Sequence, residues 1–380
     1  MMSTNGWVAH PFWWHYLYGQ DEKFLRTRAY PLMRECAKFY EAFLTEAPDG
    51  KYDVWPTGGD GDLPLSPHLK QNKNCITDLA FIRYLLNACV AAGEILGADE
   101  SKRPIWRHIA ENLRDYPTTE TPRGKIFAKF EEITVAADQG QPDARQNWRQ
   151  FWNTCGHVIF PGDQIGLDSP ARLKEIAWRT VESVPFALVD DLVMLHVARV
   201  RLGSDELDTY ETHTRALRLP NGGLHDILPI IAARENLRLC FLGWPIVINE
   251  SILQSYDGTL RVAPVSLGCD AHFAQLRAVG AFLVSAEIRT GGQVRYIAIT
   301  SEAGRPCRLV RPWRGPVRLR QTPSLAKVDV GDTGDILLFQ TTKGATYVVD
   351  RPHDPWEDQP ITVVTATDPD PRCLAGTALE

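Results

Sequence analysis

Hydrophobic spacing divides the chain into two parts with different periods. In the first part apolar residues recur every three or four positions, as one face of a helix requires. A helix from Leu25 carries Leu32, Met33, Cys36, Phe39, Tyr40, Phe43 and Leu44, and stops at the turn signal Pro48-Asp49-Gly50. A second opens near Asp78, a first-turn acid or N-cap, and carries Leu79, Ile82, Leu85, Leu86, Cys89, Ala92 and Leu96. A shorter one holds Trp106, Ile109 and Leu113 and ends before Pro117. Ser169-Pro170 reads as an N-cap followed by a first-position proline, opening a helix over 170–184. Helices over 186–202, 204–217 and 245–255 follow.

Beyond Asp257-Gly258 the period changes to alternation, and β-branched residues become common. Ala281–Ala286, Val294–Thr300, Arg308–Arg311, Val317–Arg320, Ile336–Thr341 and Ala345–Val349 read as strands, punctuated by Gly291-Gly292, Gly304 and Gly344. The expectation is a helical domain over 1–257, a small antiparallel β domain over 258–350, and a Pro- and Asp-containing surface tail over 351–380.

Composition narrows the function classes. Against 41 Lys and Arg stand 47 Asp and Glu, a net charge of −6, which argues against a nucleic-acid or anionic-membrane partner. No stretch is read as approaching the roughly 20 apolar residues of a membrane span. No signal peptide is visible in Met1–Gly6, so the compartment stays open. The eight cysteines form no CxxC pair, and Cys36 and Cys89 fall on apolar helix faces, so buried thiols are favoured over a metal or redox site. No metal-ligand spacing, phosphate loop or Gly-x-Ser-x-Gly elbow is present, and no cofactor is expected. Oligomeric state is not legible.

The chain has 11 Trp, and the first dense aromatic cluster begins at Trp7. Others fall in long segments between helices: Trp55 and His68 in 48–76, Glu131, Glu132, Trp148, Trp152 and His157 in 117–169, Asp226 and Trp244 in 218–244. Long loops in a compact domain are often functional. An aromatic face stacks on a pyranose, and carboxylates bind hydroxyls or do acid–base work, so the set suits a sugar cleft. Trp148, Trp152 and Trp244, each taken alone, read more readily as ordinary packing residues, and only the cluster points to a cleft; Asp78 is as well explained by capping as by sugar binding.

Several segments, in order, resemble one family. Gly6-Trp7, His10, Trp13-Trp14-His15-Tyr16 and Asp21 through Phe24-Leu25 to Tyr30-Pro31 resemble the tryptophan motif of the glycoside hydrolase family 95 catalytic domain. Ser66-Pro67, Thr77-Asp78 with Ile82, Phe160-Pro161-Gly162-Asp163-Gln164-Ile165, Glu250-Ser251-Ile252-Leu253-Gln254-Ser255, Ala263-Pro264 and Phe273 to Gly280 are similar to its later motifs. The resemblance runs over about residues 6–285. It implies a mainly α fold, an (α/α)6 toroid of six helical hairpins, followed by a β-sandwich domain. It also implies inverting hydrolysis of terminal α-L-fucosyl or α-L-galactosyl residues, with an oligosaccharide or glycoside as substrate. The predicted helices are fewer than six hairpins need, and the shortfall lies at the front. The chain is therefore expected to be truncated or divergent there, with Trp7, Trp13 and Trp14 packed less well than their size suggests.

An inverting glycosidase needs a protonated carboxyl and, about 6.5–9.5 Å away, a carboxylate that activates water. The family's acid is a Glu in a Gly-x-(Leu/Ile)-x-Glu-Trp segment. Strict spacing from Gly124 puts Ala128 there, and Glu131, flanked by Phe130, stands three positions on with Glu132 behind it. Counting back from Glu250 to the family's base reaches Leu239, which leaves Asp226 as the nearest upstream Asp. The candidates are thus Glu131, Glu132 and Asp226 for catalysis. For substrate binding they are Trp13, His15, Trp55, His68, Asn74, Asp78, Trp148, Trp152, His157 and Trp244. Two readings stay open: a glycosidase, or a catalytically inactive carbohydrate-binding relative on the same fold.

Overall fold

A computed structural model describes residues 2–57, 73–131, 156–183, 192–204, 212, 215, 238–332 and 334–353. The chain forms two compact units, Met1–Tyr16 with Asp21–Ser204 and Asp208–Val247, and Ile248–Glu380 with Leu17–Gln20 and Asp205–Leu207.

The first unit is helical. Its helices are α1 (Thr4–Gly19), α2 (Tyr30–Phe43), α3 (Ile76–Leu96), α4 (Arg103–Asn112), α5 (Ala171–Glu182), α6 (Leu192–Arg201) and the front of α7 (Arg238–Ile252). Proline at the first turn starts α2 and α4, where its missing N–H costs nothing. Helix α3 ends on Gly97 in the left-handed region, which carries no Cβ penalty. On α2 and α4 only one face is buried, whereas α3 is buried on nearly every side, as expected of a helix apolar all round. It is 21 residues long with a mean hydropathy of 1.5 over its most apolar window, which corrects the expectation that no stretch approaches membrane-span length. Two thirds of that window lies inside the protein, so the helix reads as core.

Polar ties fix the helices. Trp106 on α4 is fully buried, and its Nε1 donates to Glu41 at 3.0 Å. Arg34 on α2 grips Asp99 with Nε at 2.7 Å and Nη2 at 3.0 Å, and the Tyr30 hydroxyl donates to the same carboxylate. Cys75 and Cys89 are buried, and burial pushes both thiols up. Trp13 is 7% exposed and Trp7 half-buried, stacked on Phe81 at 4.8 Å between ring centres. Trp13 is therefore packed rather than loosened.

Strands β1 (Thr45–Glu46) and β2 (Tyr52–Asp53) pair around the turn at Pro48-Asp49-Gly50. Strands β3 (Thr118–Thr121) and β4 (Gly124–Phe127) form a hairpin inside a stretch read as loop. The Ser169 N-cap moves by one residue. Pro170 caps α5, and the Ser169 hydroxyl accepts from Gly166 N at 3.0 Å. The fold is thus mixed rather than mainly α.

The second unit is antiparallel in its named strand pairs. Strands β5 (Leu253–Gln254) and β6 (Arg261–Val262) form a short pair. Then come β7 (Ala271–Ala278), β8 (Phe282–Arg289), β9 (Gln293–Ser301), β10 (Cys307–Val310), β11 (Arg318–Thr322), β12 (Ala326–Lys327), β13 (Gly331–Asp332), β14 (Ile336–Phe339) and β15 (Thr346–Asp350). Six make a sheet in the order β12-β11-β15-β9-β8-β7, and three make another, β10-β14-β13. Val284, Ile297, Val349 and Leu319 from the large sheet share one buried cluster with Leu309, Leu337 and Phe339 from the small one. Two sheets over one apolar layer are a sandwich.

Candidate functional site

The approach to the N-terminal end of α3 gathers polar side chains in the first unit. Asn74 precedes the helix with φ of 54°, a left-handed conformation that Asn tolerates better than most residues. Its backbone N–H donates to Val54 O at 3.0 Å, and its side-chain oxygen accepts from Val54 N at 2.7 Å. A backbone N–H can only donate, so the bond fixes which way the amide points. Its Nδ2 then donates to two carboxylates, Asp53 at 2.9 Å and Glu131.

Asp53 is buried and multiply held. Arg114 Nε donates to it at 2.6 Å, and Lys73 Nζ lies 2.8 Å from its other oxygen. Burial alone would push this carboxyl up, but the bonds from Arg114, Lys73 and Asn74 outweigh it and hold it below the ordinary carboxylate range. Glu131 is exposed; its backbone N–H donates to Lys73 O at 3.1 Å, which ties the carboxylate to the same corner. Trp55, one residue past Val54, keeps 49% of its surface exposed.

Behind this corner lies a buried layer. Asp78 accepts from Ser3 N at 2.7 Å and from the Thr57 hydroxyl. Burial pushes its carboxyl up, against the pull of the Thr57 and Ser3 bonds. His157 is buried with Nδ1 3.1 Å from the Thr77 hydroxyl and its ring edge-on to Trp7 at 4.8 Å, and burial pulls it down to about 3. Gly162 turns beneath it: its N–H donates to His157 O at 2.8 Å, and a Cβ there would come within 2.2 Å of that oxygen. Asp163 in the same turn accepts from Arg201, and His10 Nε2 stands 3.8 Å away. Burial lowers the His10 pKa despite Asp163.

The candidates therefore separate. Glu131 and Asn74 meet at the corner, and Trp55 follows Val54, whose backbone Asn74 holds. Asp78, His157 and Trp13 are buried, Trp13 stacked on Tyr16 at 5.3 Å. His15 is exposed on α1, its ring 4.0 Å from that of Phe24. Glu132, His68, Trp148, Trp152 and Asp226 lie outside the described residues, and Trp244 falls in α7 where only the backbone is described. Asp53, Lys73, Arg114 and Thr57 were not anticipated. Ala128, at the strict acid position, is buried and donates its N–H to Pro117 O at 2.8 Å. No group of His, Cys, Asp and Glu among the described residues could hold a metal ion.

The corner lies within the part of the chain that is similar to known proteins. Residues 1–183 match the Glycosyl hydrolase family 95 catalytic domain. Alpha-L-fucosidase 2 of Arabidopsis thaliana is 28% identical over 181 residues, a match that covers 47% of this chain and 20% of the relative. Among solved structures, the Streptomyces avermitilis alpha-L-rhamnosidase complexed with L-rhamnose aligns over 89% of this chain and 32% of its own, at 12% identity and a TM-score of 0.43. The Dictyoglumus thermophilum alpha-L-rhamnosidase aligns over 89% of this chain and 38% of its own, at 10% identity and a TM-score of 0.40. The front of the chain is thus similar to a glycosidase catalytic domain. More narrowly, residues 1–183 are similar to the glycoside hydrolase family 95 catalytic domain, and the match spans about a fifth of the fucosidase.

Proposed function

We propose that the chain hydrolyses glycosides at terminal sugar residues, with α-L-fucosides or α-L-galactosides as substrates. The reaction would invert the anomeric centre, on a six-hairpin helical scaffold followed by its β domain. The observation that carries this is the exposed Glu131 carboxylate, fixed by Asn74, within the residues that match a glycosidase catalytic domain, a stretch that also holds the half-exposed Trp55. Glu131 is the general acid, giving its proton to the departing glycosidic oxygen. The face of Trp55 supplies a platform for the apolar side of a sugar ring. Water attacks the anomeric carbon, and its proton passes to a carboxylate base, for which Asp226 is the candidate.

The test is turnover of a panel of aryl glycosides that includes an aryl α-L-fucoside, by the full chain and by Glu131→Gln. General-acid contributions are about 10²–10⁴-fold, so kcat should fall on that scale. A wild-type chain that binds sugars but turns over no member of the panel would leave the non-catalytic reading in place.

A further inference from the structure

We infer that Asn74 and Asp53 are positioning residues that decide which oxygen of Glu131 delivers the proton. This rests on the role proposed above for Glu131. Asn74 Nδ2 has two hydrogens and donates to one oxygen each of Asp53 and Glu131. The amide cannot turn over, because Val54 N–H occupies its oxygen at 2.7 Å. A carboxyl oxygen that accepts an amide hydrogen is the worse place for its own proton. When Glu131 is protonated, the proton therefore sits on Oε1, the oxygen that Asn74 does not hold. The clamp turns a carboxyl with two equivalent oxygens into one with a defined donor.

Asp53 makes the clamp stiff. Arg114 at 2.6 Å and Lys73 at 2.8 Å keep it ionised, so the second amide hydrogen always has a charged acceptor. Charge-assisted bonds of this kind are shorter and stronger than neutral ones. Cation, carboxylate, amide and acid form one chain, from the partly exposed Arg114 and Lys73 through the buried Asp53 and Asn74 to the exposed Glu131. Nothing in it requires Asn74 to touch the sugar.

Leaving-group dependence tests the assignment. Fluoride departs without a proton, whereas the alcohol of a fucosyl disaccharide needs one. The substitutions are Asn74→Asp, which tolerates the left-handed backbone and replaces the donor with an acceptor, and Asn74→Gly, which removes the side chain. Each is assayed on α-L-fucosyl fluoride and on a fucosyl disaccharide, next to Glu131→Gln. The expected result is a kcat loss on the disaccharide at least about tenfold larger than on the fluoride, with KM within about twofold, in the same pattern as Glu131→Gln. Equal losses on both substrates, a change confined to KM, or no change would overturn it. If neither variant keeps the wild-type melting transition, Asn74 is a structural staple and the inference falls. Turnover by wild type with the pattern seen only in Glu131→Gln sinks this inference alone. Absence of wild-type turnover on both substrates sinks the proposed function with it.

Discussion

His157 offers a quantitative test of where the polar layer behind Glu131 belongs. The side chain is buried against Trp7 and Thr77, and burial pulls its pKa from 6.5 down to about 3. The folded chain therefore keeps it neutral through mild acid, while the unfolded chain protonates it below 6.5. Because the unfolded state binds more protons, stability is full above pH 6.5 and falls as the pH drops from there toward about 3. Each unit of pH inside that window is worth about 1.4 kcal/mol, so at pH 5 the loss relative to pH 7 is about 2 kcal/mol. His157→Gln removes the titration. It should cost stability at pH 7, and its deficit against wild type should shrink by about 2 kcal/mol at pH 5. Urea unfolding followed by Trp fluorescence at both pH values measures the difference directly. His10 shifts in the same direction but remains in both proteins and cancels. A deficit that stays constant across the two pH values would refute the buried, neutral imidazole. A variant of unchanged stability whose KM alone rises would return His157 to the sugar-binding set.

Two other substitutions test packing. Trp106→Ala empties a fully buried site and strips Glu41 of its indole donor, and should lower unfolding free energy by about 3–5 kcal/mol in denaturant titration; a loss below about 1 would contradict the packing. Gly162→Ala drives a methyl into the His157 carbonyl and should cost about 1–3 kcal/mol, seen as a lower Tm, whereas an unchanged Tm would show that the turn does not pass so close.

What the sequence revealed follows from the range over which each signal acts. Strands β8, β9, β10, β11, β14 and β15 fall where alternation and β-branched residues placed strands; β10 and β14 bury alternate residues, whereas β9 and β15 are buried on both faces and were legible by their β-branched content. Strand β7 escaped that pattern. A bulge between Phe273 and Leu276, with Gln275 at φ 54°, breaks its period. The hairpin of β3 and β4 escaped because Thr118, Thr119 and Glu120 are all exposed and leave no alternation to read. Helix α7 starts at Arg238 and runs through Pro245, where proline had been read as a start. Glu131, Asn74 and Trp55 were legible as residue types, but the meeting of Glu131 with Asn74 was not. The contact depends on Asp53 and Arg114, 61 positions apart and marked by no motif.

The all-round burial of α3 bears on how the chain is made. A 21-residue helix of that hydropathy has the length a bilayer accepts. Its N-terminal turns are covered by Phe127, Val158, Ile159 and Val181, all synthesised later. A nascent chain stopped near residue 100 would hold α1 and α2 against this helix, through contacts such as Trp7 on Phe81, but would leave its N-terminal turns around Ile76 and Ala80 uncovered. The ribosome therefore releases this apolar helix well before its wrapping is complete. Fragments that end before α5 should pellet or partition into vesicles, while a chain that reaches Val181 can close over the helix and stay in water.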